Sequence, residues 1–319
     1  MSRIQPEPWS GRVDGTTAAD RRWHQHVRVA EDNAEEPAQI ALVGFASDEG
    51  VVRNLGRPGA AEGPGALRKA LGSLAVHTTP SVVDLGDVAV DGDDLESGHT
   101  ELGSVIADAL EAHGLVFVLG GGHETAFGTY LGREASQRLA GKSVGVLNID
   151  AHFDLRVADR PTSGTPFRQM ALGEEQADRA LRYMVAGISE SANTAVLFDT
   201  AAALNTEVIL DRFCQPQHLD EVLRRIDAFL AEVDVLHLSI DLDVLPAAVA
   251  PGVSAPAGYG VPMEVVDTIC AHVSASGKLV VVDVVELSPP HDIDGRTARA
   301  AARLIHTLAE TWHPTINED

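Results

Sequence analysis

Three short segments of the chain carry side chains that can bind metal ions. Each follows an apolar run rich in β-branched residues, and the three read GGGHE at 120–124, NIDAHFD at 148–154 and SIDLD at 239–243. Such a run predicts a buried strand, so each segment is expected where a strand gives way to a loop. In an extended segment, residues two apart share a face and lie roughly 6–7 Å from each other. Asp150, His152 and Asp154 are therefore expected on one face, and Asp241 and Asp243 share a face in their own segment.

Together with His123, these side chains form a set of oxygen and imidazole ligands without a thiolate. Two histidines and four carboxylates exceed what one tetrahedral zinc needs, and shared carboxylates would hold two near-octahedral divalent ions about 3.5 Å apart. A solvated acidic loop is the alternative for DAHFD. However, Asp150 would then lie at the end of a buried strand, where a carboxylate needs partners. The pattern favours a dinuclear hydrolase.

Strand patterns alternate with helical patterns from Ala38 onward. Continuous Val, Ile and Leu runs are typical of strands buried on both faces of a parallel sheet. In open α/β sheets, ligands bind beyond the carboxyl ends of the strands, where the three segments fall. The sequence predicts one three-layer α/β/α domain over 37–319, with a mainly parallel eight-stranded sheet and a polar N-terminal arm at 1–36. The strand candidates are 40–45, 82–86, 114–120, 144–150, 183–188, 207–211, 235–241 and 278–287.

The composition limits the partners of the protein. The 319 residues carry a formal net charge of -23, which argues against binding to nucleic acids or anionic membranes. The sequence has neither an apolar stretch of about 18 residues nor the apolar core of a signal peptide, so we expect a cytoplasmic protein. Its two cysteines form no CxxC pair, which argues against a thiolate metal site. A small-molecule substrate is the expected partner.

The three segments resemble, in order and spacing, the GG(D/G)H, DAHxD and SxDxD signatures of the ureohydrolases, the family of arginase, agmatinase and formimidoylglutamase. The resemblance covers about residues 9 to 310. It implies an arginase-like fold, two Mn²⁺ ions per subunit and a homo-oligomer, a trimer or hexamer. It also implies one ion on His123, Asp150, Asp154 and Asp241, and the other on Asp150, His152, Asp241 and Asp243.

Two catalytic roles also follow from the resemblance. The glutamate that accepts hydrogen bonds from the nitrogen atoms of the substrate falls on Glu286 in VVDVVELSPP. Asp154 is expected to orient a hydroxide shared by the two ions and to pass its proton toward the leaving amine.

The chain departs from arginases and agmatinases in one segment. It reads TSGTPFRQM at 162–170, with Ser163 where those enzymes carry a histidine. This form, together with FDLR at 153–156 and the RNLGRPGAAEGPGALR block at 53–68, resembles the branch that acts on N-formimidoyl-L-glutamate. That substrate has two carboxylates, so an acidic protein must supply local arginines to bind it. Arg156 is the first candidate, because it lies two residues beyond Asp154 and so on the same face if the extended segment continues. Arg57, Ser163 and Arg168 are further candidates.

The expected reaction is attack of the hydroxide on the formimidoyl carbon, which releases L-glutamate and formamide. A hydrolase of another acidic guanidino compound, such as guanidinobutyrate, would release urea instead. A catalytically inactive metal-binding homologue is a third interpretation, but it gives no reason to retain four clustered carboxylates. A deacetylase-like zinc hydrolase fits less well, because it would use one metal ion and paired histidines.

Overall fold

A central parallel sheet organises the chain. The computed structural model describes residues 4–6, 8–30 and 38–314, and within them nine strands pair in the order β1-β3-β2-β4-β9-β8-β5-β6-β7. All eight pairings between neighbouring strands are parallel. The strands are β1 Arg28–Val29, β2 Ile40–Ala46, β3 Val82–Ala89, β4 Leu115–Leu119, β5 Val144–Ile149, β6 Arg182–Ile188, β7 Glu207–Leu210, β8 Val235–Asp241 and β9 Leu279–Val285.

Helices connect the strands and cover both faces of the sheet. The helices are α1 Trp23–His26, α2 Glu49–Arg53, α3 Gly63–Gly72, α4 Leu95–Ala112, α5 Thr125–Ala135, α6 Pro166–Gln176, α7 Ala195–Ala203, α8 Leu219–Ala231, α9 Met263–Ser274 and α10 Arg296–Thr311. Along β2, Ile40 and Leu42 join one hydrophobic cluster, whereas Ala41 and Val43 join another. Successive side chains of a strand point to opposite faces, so this strand is buried on both sides. Among the described residues, no helix is both long and apolar enough to cross a membrane.

Four adjacent strands lead into the segments that the sequence singled out. β4, β9, β8 and β5 are consecutive neighbours in the sheet, and they precede His123, Glu286, Asp243 and Asp150 respectively. Because all four strands are parallel, their carboxyl ends meet at the same edge. Segments as far apart along the chain as His123 and Glu286, which are separated by 163 positions, are thereby brought together.

The expected α/β fold is confirmed, but the strand count of eight is wrong. The ninth strand, β1, is only two residues long and both residues are exposed, so it has no hydrophobic pattern that could reveal it. It lies within the segment predicted as an arm, and that segment also contributes Trp23, which is fully buried and donates from Nε1 to His306 Nδ1 at 3.1 Å. The acidic run at 31–36 lies outside the described residues. The boundary between arm and domain stays a prediction.

A buried ion pair joins helix α3 to strand β3 of the sheet. The guanidinium of Arg68 on α3 donates from Nε to Asp84 Oδ2 at 2.7 Å and from Nη2 to Oδ1 at 2.9 Å. Asp84 on β3 also accepts a hydrogen bond from Trp9 Nε1 at 2.8 Å, which ties the N-terminal segment to the same point. Asp84 is fully buried, so its charge depends on these donors.

We expect Asp84→Ala to lower the free energy of unfolding by about 3 kcal/mol or more, because it leaves the buried guanidinium of Arg68 without its main partner. Urea unfolding followed by circular dichroism measures this change. Glu221→Ala removes an exposed ion pair to Arg224 and serves as control, because exposed ion pairs contribute little to stability, so its urea midpoint should stay close to that of wild type. A loss for Asp84→Ala no larger than that of the control would contradict the prediction.

Candidate metal centre

His123 lies at the centre of a group of buried carboxylates. Its Nδ1 is 2.9 Å from Asp154 Oδ2, 3.0 Å from Asp241 Oδ2 and 3.2 Å from Asp150 Oδ2. The glycines before it let its loop pass close to the neighbouring strand end, since a Cβ on Gly121 would lie 1.8 Å from the carbonyl oxygen of Ser47. The four side chains offer ligand atoms that all lie within 4.8 Å of one another.

A second group shares Asp150 with the first. His152 Nδ1 lies 3.1 Å from Asp243 Oδ2 and 3.7 Å from Asp150 Oδ1, and the ligand atoms of these three residues also lie within 4.8 Å of one another. The structure thus brings together all six side chains predicted as ligands. Asp241, which the resemblance assigned to both ions, belongs only to the first group here. Its bridging role stays a prediction.

The donor set fits divalent cations. His123 Nδ1 is buried among three carboxylate oxygens, yet it has no hydrogen-bond partner among the described residues. Among the residues that the structure describes, no lysine or arginine forms an ion pair with any of the four aspartates of the two ligand groups. Burial, together with the charges of neighbouring aspartates, raises the pKa of Asp154 and of Asp241. Buried oxygen and imidazole ligands without a local cation are what one or two divalent metal ions require.

The tautomer of His123 follows from its outer neighbours. Ser239 Oγ donates its only proton to Asp283 Oδ1, so it must accept the 2.9 Å hydrogen bond from His123 Nε2. The proton of the ring therefore resides on Nε2, and Nδ1 turns its lone pair toward the aspartates. His237 Nε2 binds the other oxygen of Asp283 at 2.5 Å, and His237 lies outside both ligand groups.

Local hydrogen bonds hold the aspartates in place. Asn148 Nδ2 donates to Asp150 Oδ2 at 2.9 Å, and the backbone N–H of His152 donates to Asp150 Oδ1 at 2.7 Å. Asp241 Oδ1 accepts the backbone N–H of Asp243 at 2.8 Å. Asp154 has a positive φ of 49°. Few residues other than glycine adopt this conformation, so the loop holds the Asp154 carboxylate in an unusual backbone geometry.

Glu286 joins the metal segment to the end of β9. Its Oε1 accepts the backbone N–H of His123 at 2.8 Å, and its own N–H donates to the carbonyl of Gly121 at 2.8 Å. The residue is buried and has a positive φ of 69°. Burial and the nearby charges of Glu124 and Asp243 raise the pKa of Glu286 to about 8. A cationic group bound beside it would favour its charged form.

A cavity of about 310 Å³ opens above the ligand groups. The sequence-predicted residues Arg57, Arg156, Ser163 and Glu286 all line it, together with five of the six predicted ligands, whereas Arg168 does not. The Arg156 side chain is exposed, and it makes no ion pair or hydrogen bond with any described residue. Arg57 Nε donates to the carbonyl of Ser254 at 3.0 Å, which fixes its guanidinium at the rim. The rim is therefore cationic, and the floor is acidic.

Sequence reasoning missed two polar side chains of the wall, those of Asn54 and Ser254. Asn54 Nδ2 donates to Ser163 Oγ at 3.1 Å, and Ser254 Oγ accepts the backbone N–H of Arg57 at 2.9 Å. The position of Asn54 within the RNLGRPGAAEGPGALR block was a usable signal, since Arg57 in that block was already a candidate. Ser254 follows the third metal segment by eleven residues, and nothing in its local pattern marks it.

Comparison with known proteins agrees with this geometry. A family model described as the arginase family matches residues 38–310. The chain is 52% identical over 314 residues to the formimidoylglutamase of Rhodococcus opacus (strain B4), with 98% of both chains covered. It is 54% identical over 306 residues to that of Rhodococcus jostii (strain RHA1), with 96% of this chain and 95% of the relative covered.

Solved structures show the same fold. Formimidoylglutamase from Bacillus subtilis superposes with a TM-score of 0.80 at 22% identity and covers 94% of this chain and 95% of its own. Trypanosoma cruzi formiminoglutamase with Mn²⁺ superposes with a TM-score of 0.75 at 25% identity, covering 87% of this chain and 95% of its own. A parallel sheet with candidate metal ligands at the carboxyl ends of its strands defines an α/β protein of the metal-binding type. The chain belongs to the arginase family.

We expect metal addition to stabilise the chelator-treated protein, because a ligand that binds only the folded state adds about 2.7 kcal/mol at a free concentration 100 times its dissociation constant. Thermal unfolding with and without Mn²⁺ measures the shift. Asp150→Ala should lose the shift, since Asp150 belongs to both ligand groups, while Asp108→Ala on the exposed face of α4 should keep it. A full shift in Asp150→Ala would refute the ligand assignment.

Proposed function

We propose that the chain is a hydrolase that converts N-formimidoyl-L-glutamate and water to L-glutamate and formamide. The observation that carries this proposal is the unpaired guanidinium of Arg156 at the rim of a cavity whose floor holds the ligand groups and Glu286. A substrate with an amidine at one end and carboxylates at the other matches this separation of charge. The relatives named formimidoylglutamase support the same substrate.

The proposed cofactor is a pair of manganese ions held by the six residues. Hard oxygen and imidazole ligands suit manganese, and the Trypanosoma cruzi structure was determined with it. When bound, such ions polarise the substrate and lower the pKa of a coordinated water to near neutrality. Asp154 has a carboxylate in the first ligand group and also lines the cavity, so it can accept a proton from that water and orient it toward the substrate.

Glu286 would hold the amidine end. Its Oε1 is occupied by the backbone N–H of His123, while Oε2 makes no hydrogen bond to a described residue. That oxygen can accept a hydrogen bond from an amidinium nitrogen, and the charge pair would favour both ionised forms. Because two hydrogen bonds fix Glu286, an amidine bound to it would place the formimidoyl carbon over the ligand groups. The water would then attack that carbon from a single direction.

The opposite wall would hold the glutamate end. Arg156 can bind one carboxylate with two parallel hydrogen bonds, and the partly engaged Arg57 can contribute a second cation. Ser163 Oγ accepts from Asn54, which leaves its own proton free to donate to a carboxylate oxygen. A neutral donor at this position suits an anionic substrate, whereas a histidine would add a titrating group.

A trimeric or hexameric assembly and a cytoplasmic location stay predictions.

We expect the manganese-loaded protein to release formamide from N-formimidoyl-L-glutamate and to release little urea from arginine, agmatine or guanidinobutyrate. The physical reason is that Arg156 and Arg57 can bind the two carboxylates of N-formimidoyl-L-glutamate and repel the cationic end of agmatine. Guanidinobutyrate offers these arginines only one carboxylate, and arginine offers one beside a cationic amino group. A substrate panel in which formamide and urea are measured separately tests this. Turnover of a guanidino acid without turnover of N-formimidoyl-L-glutamate would establish the ureohydrolase alternative.

We expect Arg156→Gln to raise KM for N-formimidoyl-L-glutamate by about 10 to 100 fold, because hydrogen bonds to charged groups contribute about 1.5–3 kcal/mol. The effect on kcat should be smaller, since the carboxylate lies away from the reacting carbon. Steady-state kinetics measure both constants. Arg160→Gln provides a matched control, because Arg160 pairs with Glu96 and does not line the cavity. An equal KM for Arg156→Gln and wild type would exclude a substrate contact.

A further inference from the structure

Glu124 is a buried carboxyl group that follows His123 and does not belong to either ligand group. Its Oε1 accepts two hydrogen bonds, from Ser47 Oγ at 3.0 Å and from the backbone N–H of Gly50 at 3.0 Å. Its Oε2 is buried and has no hydrogen-bond partner among the described residues. Nothing in the proposed reaction uses this group, so its position requires another explanation.

The surrounding backbone leaves room for this carboxyl group. A Cβ on Gly50 would lie 2.4 Å from the Glu124 carboxyl carbon, and a Cβ on Gly122 would lie 2.1 Å from Oε2. Real Cβ atoms essentially never approach that closely, so only glycine fits at both positions while the carboxyl stays in place. Two segments, 47–50, which includes the start of α2, and 120–123, therefore pack directly on the Glu124 side chain.

The loop that Glu124 holds leads into the wall of the cavity. Gly50 belongs to α2, which ends at Arg53, and the chain then continues through Asn54 and Arg57 along the rim. The carbonyl of Gly50 also accepts the backbone N–H of Ser163 at 3.0 Å. Asn54 Nδ2 in turn donates to Ser163 Oγ. A short series of hydrogen bonds thus links Glu124 to the 53–57 segment and to the 162–165 segment.

We propose that Glu124 is a positioning residue, which sets the substrate-binding wall formed by Asn54, Arg57 and Ser163 at a fixed distance from the metal centre. The proposal rests on the proposed function for the identity of the substrate. Glu124 directly follows the predicted ligand His123, and its carboxyl group accepts a hydrogen bond from the first turn of α2, so it connects the metal centre to the segment that leads into the wall. Specificity for the length of the substrate follows, because the distance between the amidine and the carboxylates must match this spacing.

Two substitutions test the role of the acceptor oxygen. Glu124→Gln keeps an oxygen that can accept from Ser47 and Gly50, so it should retain KM and kcat within about twofold. Glu124→Ala removes the acceptor and leaves a buried N–H unpaired, so KM should rise about tenfold or more while kcat falls less. The Mn²⁺ affinity of both variants, measured by titration against a chelator, should stay within about threefold of wild type, since the Glu124 carboxyl is neither a ligand nor hydrogen-bonded to one.

Hydrogen–deuterium exchange on the manganese-loaded protein provides a readout that needs no substrate. Glu124→Ala should increase exchange at 47–57 and 162–165 and leave the remaining peptides unchanged, whereas Glu124→Gln should exchange like wild type. Glu111→Ala is the matched control. Glu111 Oε1 also accepts from a serine hydroxyl, of Ser136 at 2.7 Å, and from a backbone N–H, of Arg138 at 3.0 Å, but it lies outside the cavity.

Three results would overturn the proposal. One is unchanged exchange and KM in Glu124→Ala. Another is a Glu124→Gln variant as impaired as Glu124→Ala, because the acceptor is then not the cause. The third is a fall in Mn²⁺ affinity that accounts for the whole kinetic effect.

If Glu124→Ala does not fold, Ser47→Ala removes one of the two donors to Glu124 and should change exchange and KM in the same direction by a smaller amount. Wild-type protein that does not turn over N-formimidoyl-L-glutamate rejects the proposed function alone, and the exchange data still decide the role of Glu124.

Discussion

Four aspartates buried side by side impose the main constraint on this structure. Carboxylates lose most of their hydration when buried, and they repel one another at short range, so such a group is stable only with a cation among its members. The sheet supplies the required geometry. Adjacent parallel strands end at one edge and bring residues from distant parts of the sequence within a few ångströms. The core packs on both faces of the same strands, and this packing holds the strand ends in position.

The surroundings of the metal centre are arranged around that constraint. Ser239 and Asp283 fix the proton of His123 on Nε2, which makes Nδ1 available as a ligand. Asn148 and the backbone N–H groups of His152 and Asp243 each donate to an aspartate without adding charge. Neutral donors orient the carboxylates and leave their charge for the ions. An arginine in the same place would neutralise the carboxylates and compete with the metal.

The sequence predicted the parts of the fold that local pattern determines. Val, Ile and Leu runs identified every long strand, and ligands at alternating positions identified the metal segments. The order of the strands was not predictable, because β9 pairs with β4 as well as with β8, and its partners on β4, such as Val116 for Val281, lie 165 positions away along the chain. β1 was missed because a two-residue exposed strand has no hydrophobic period. Asn54, Ser254 and Glu124 were missed for the same reason as the strand order: their roles depend on contacts across the fold, which spacing along the chain does not contain.

The metal centre and the substrate wall are built from different kinds of structure. The predicted ligands lie at or just beyond the ends of central strands, whereas Asn54, Arg57, Arg156 and Ser163 lie on loops. Loops tolerate substitution better than buried strands, so the wall can change while the centre stays constant. Ser163 illustrates this division, because it stands in a loop where the resemblance to arginases and agmatinases would place a histidine, although all six predicted ligands are retained. A change of substrate within such a fold therefore requires that the new wall stay at the same distance from an unchanged metal centre. A buried contact between the wall and the centre, such as the hydrogen bond from Gly50 to Glu124, can keep this distance without involving a metal ligand.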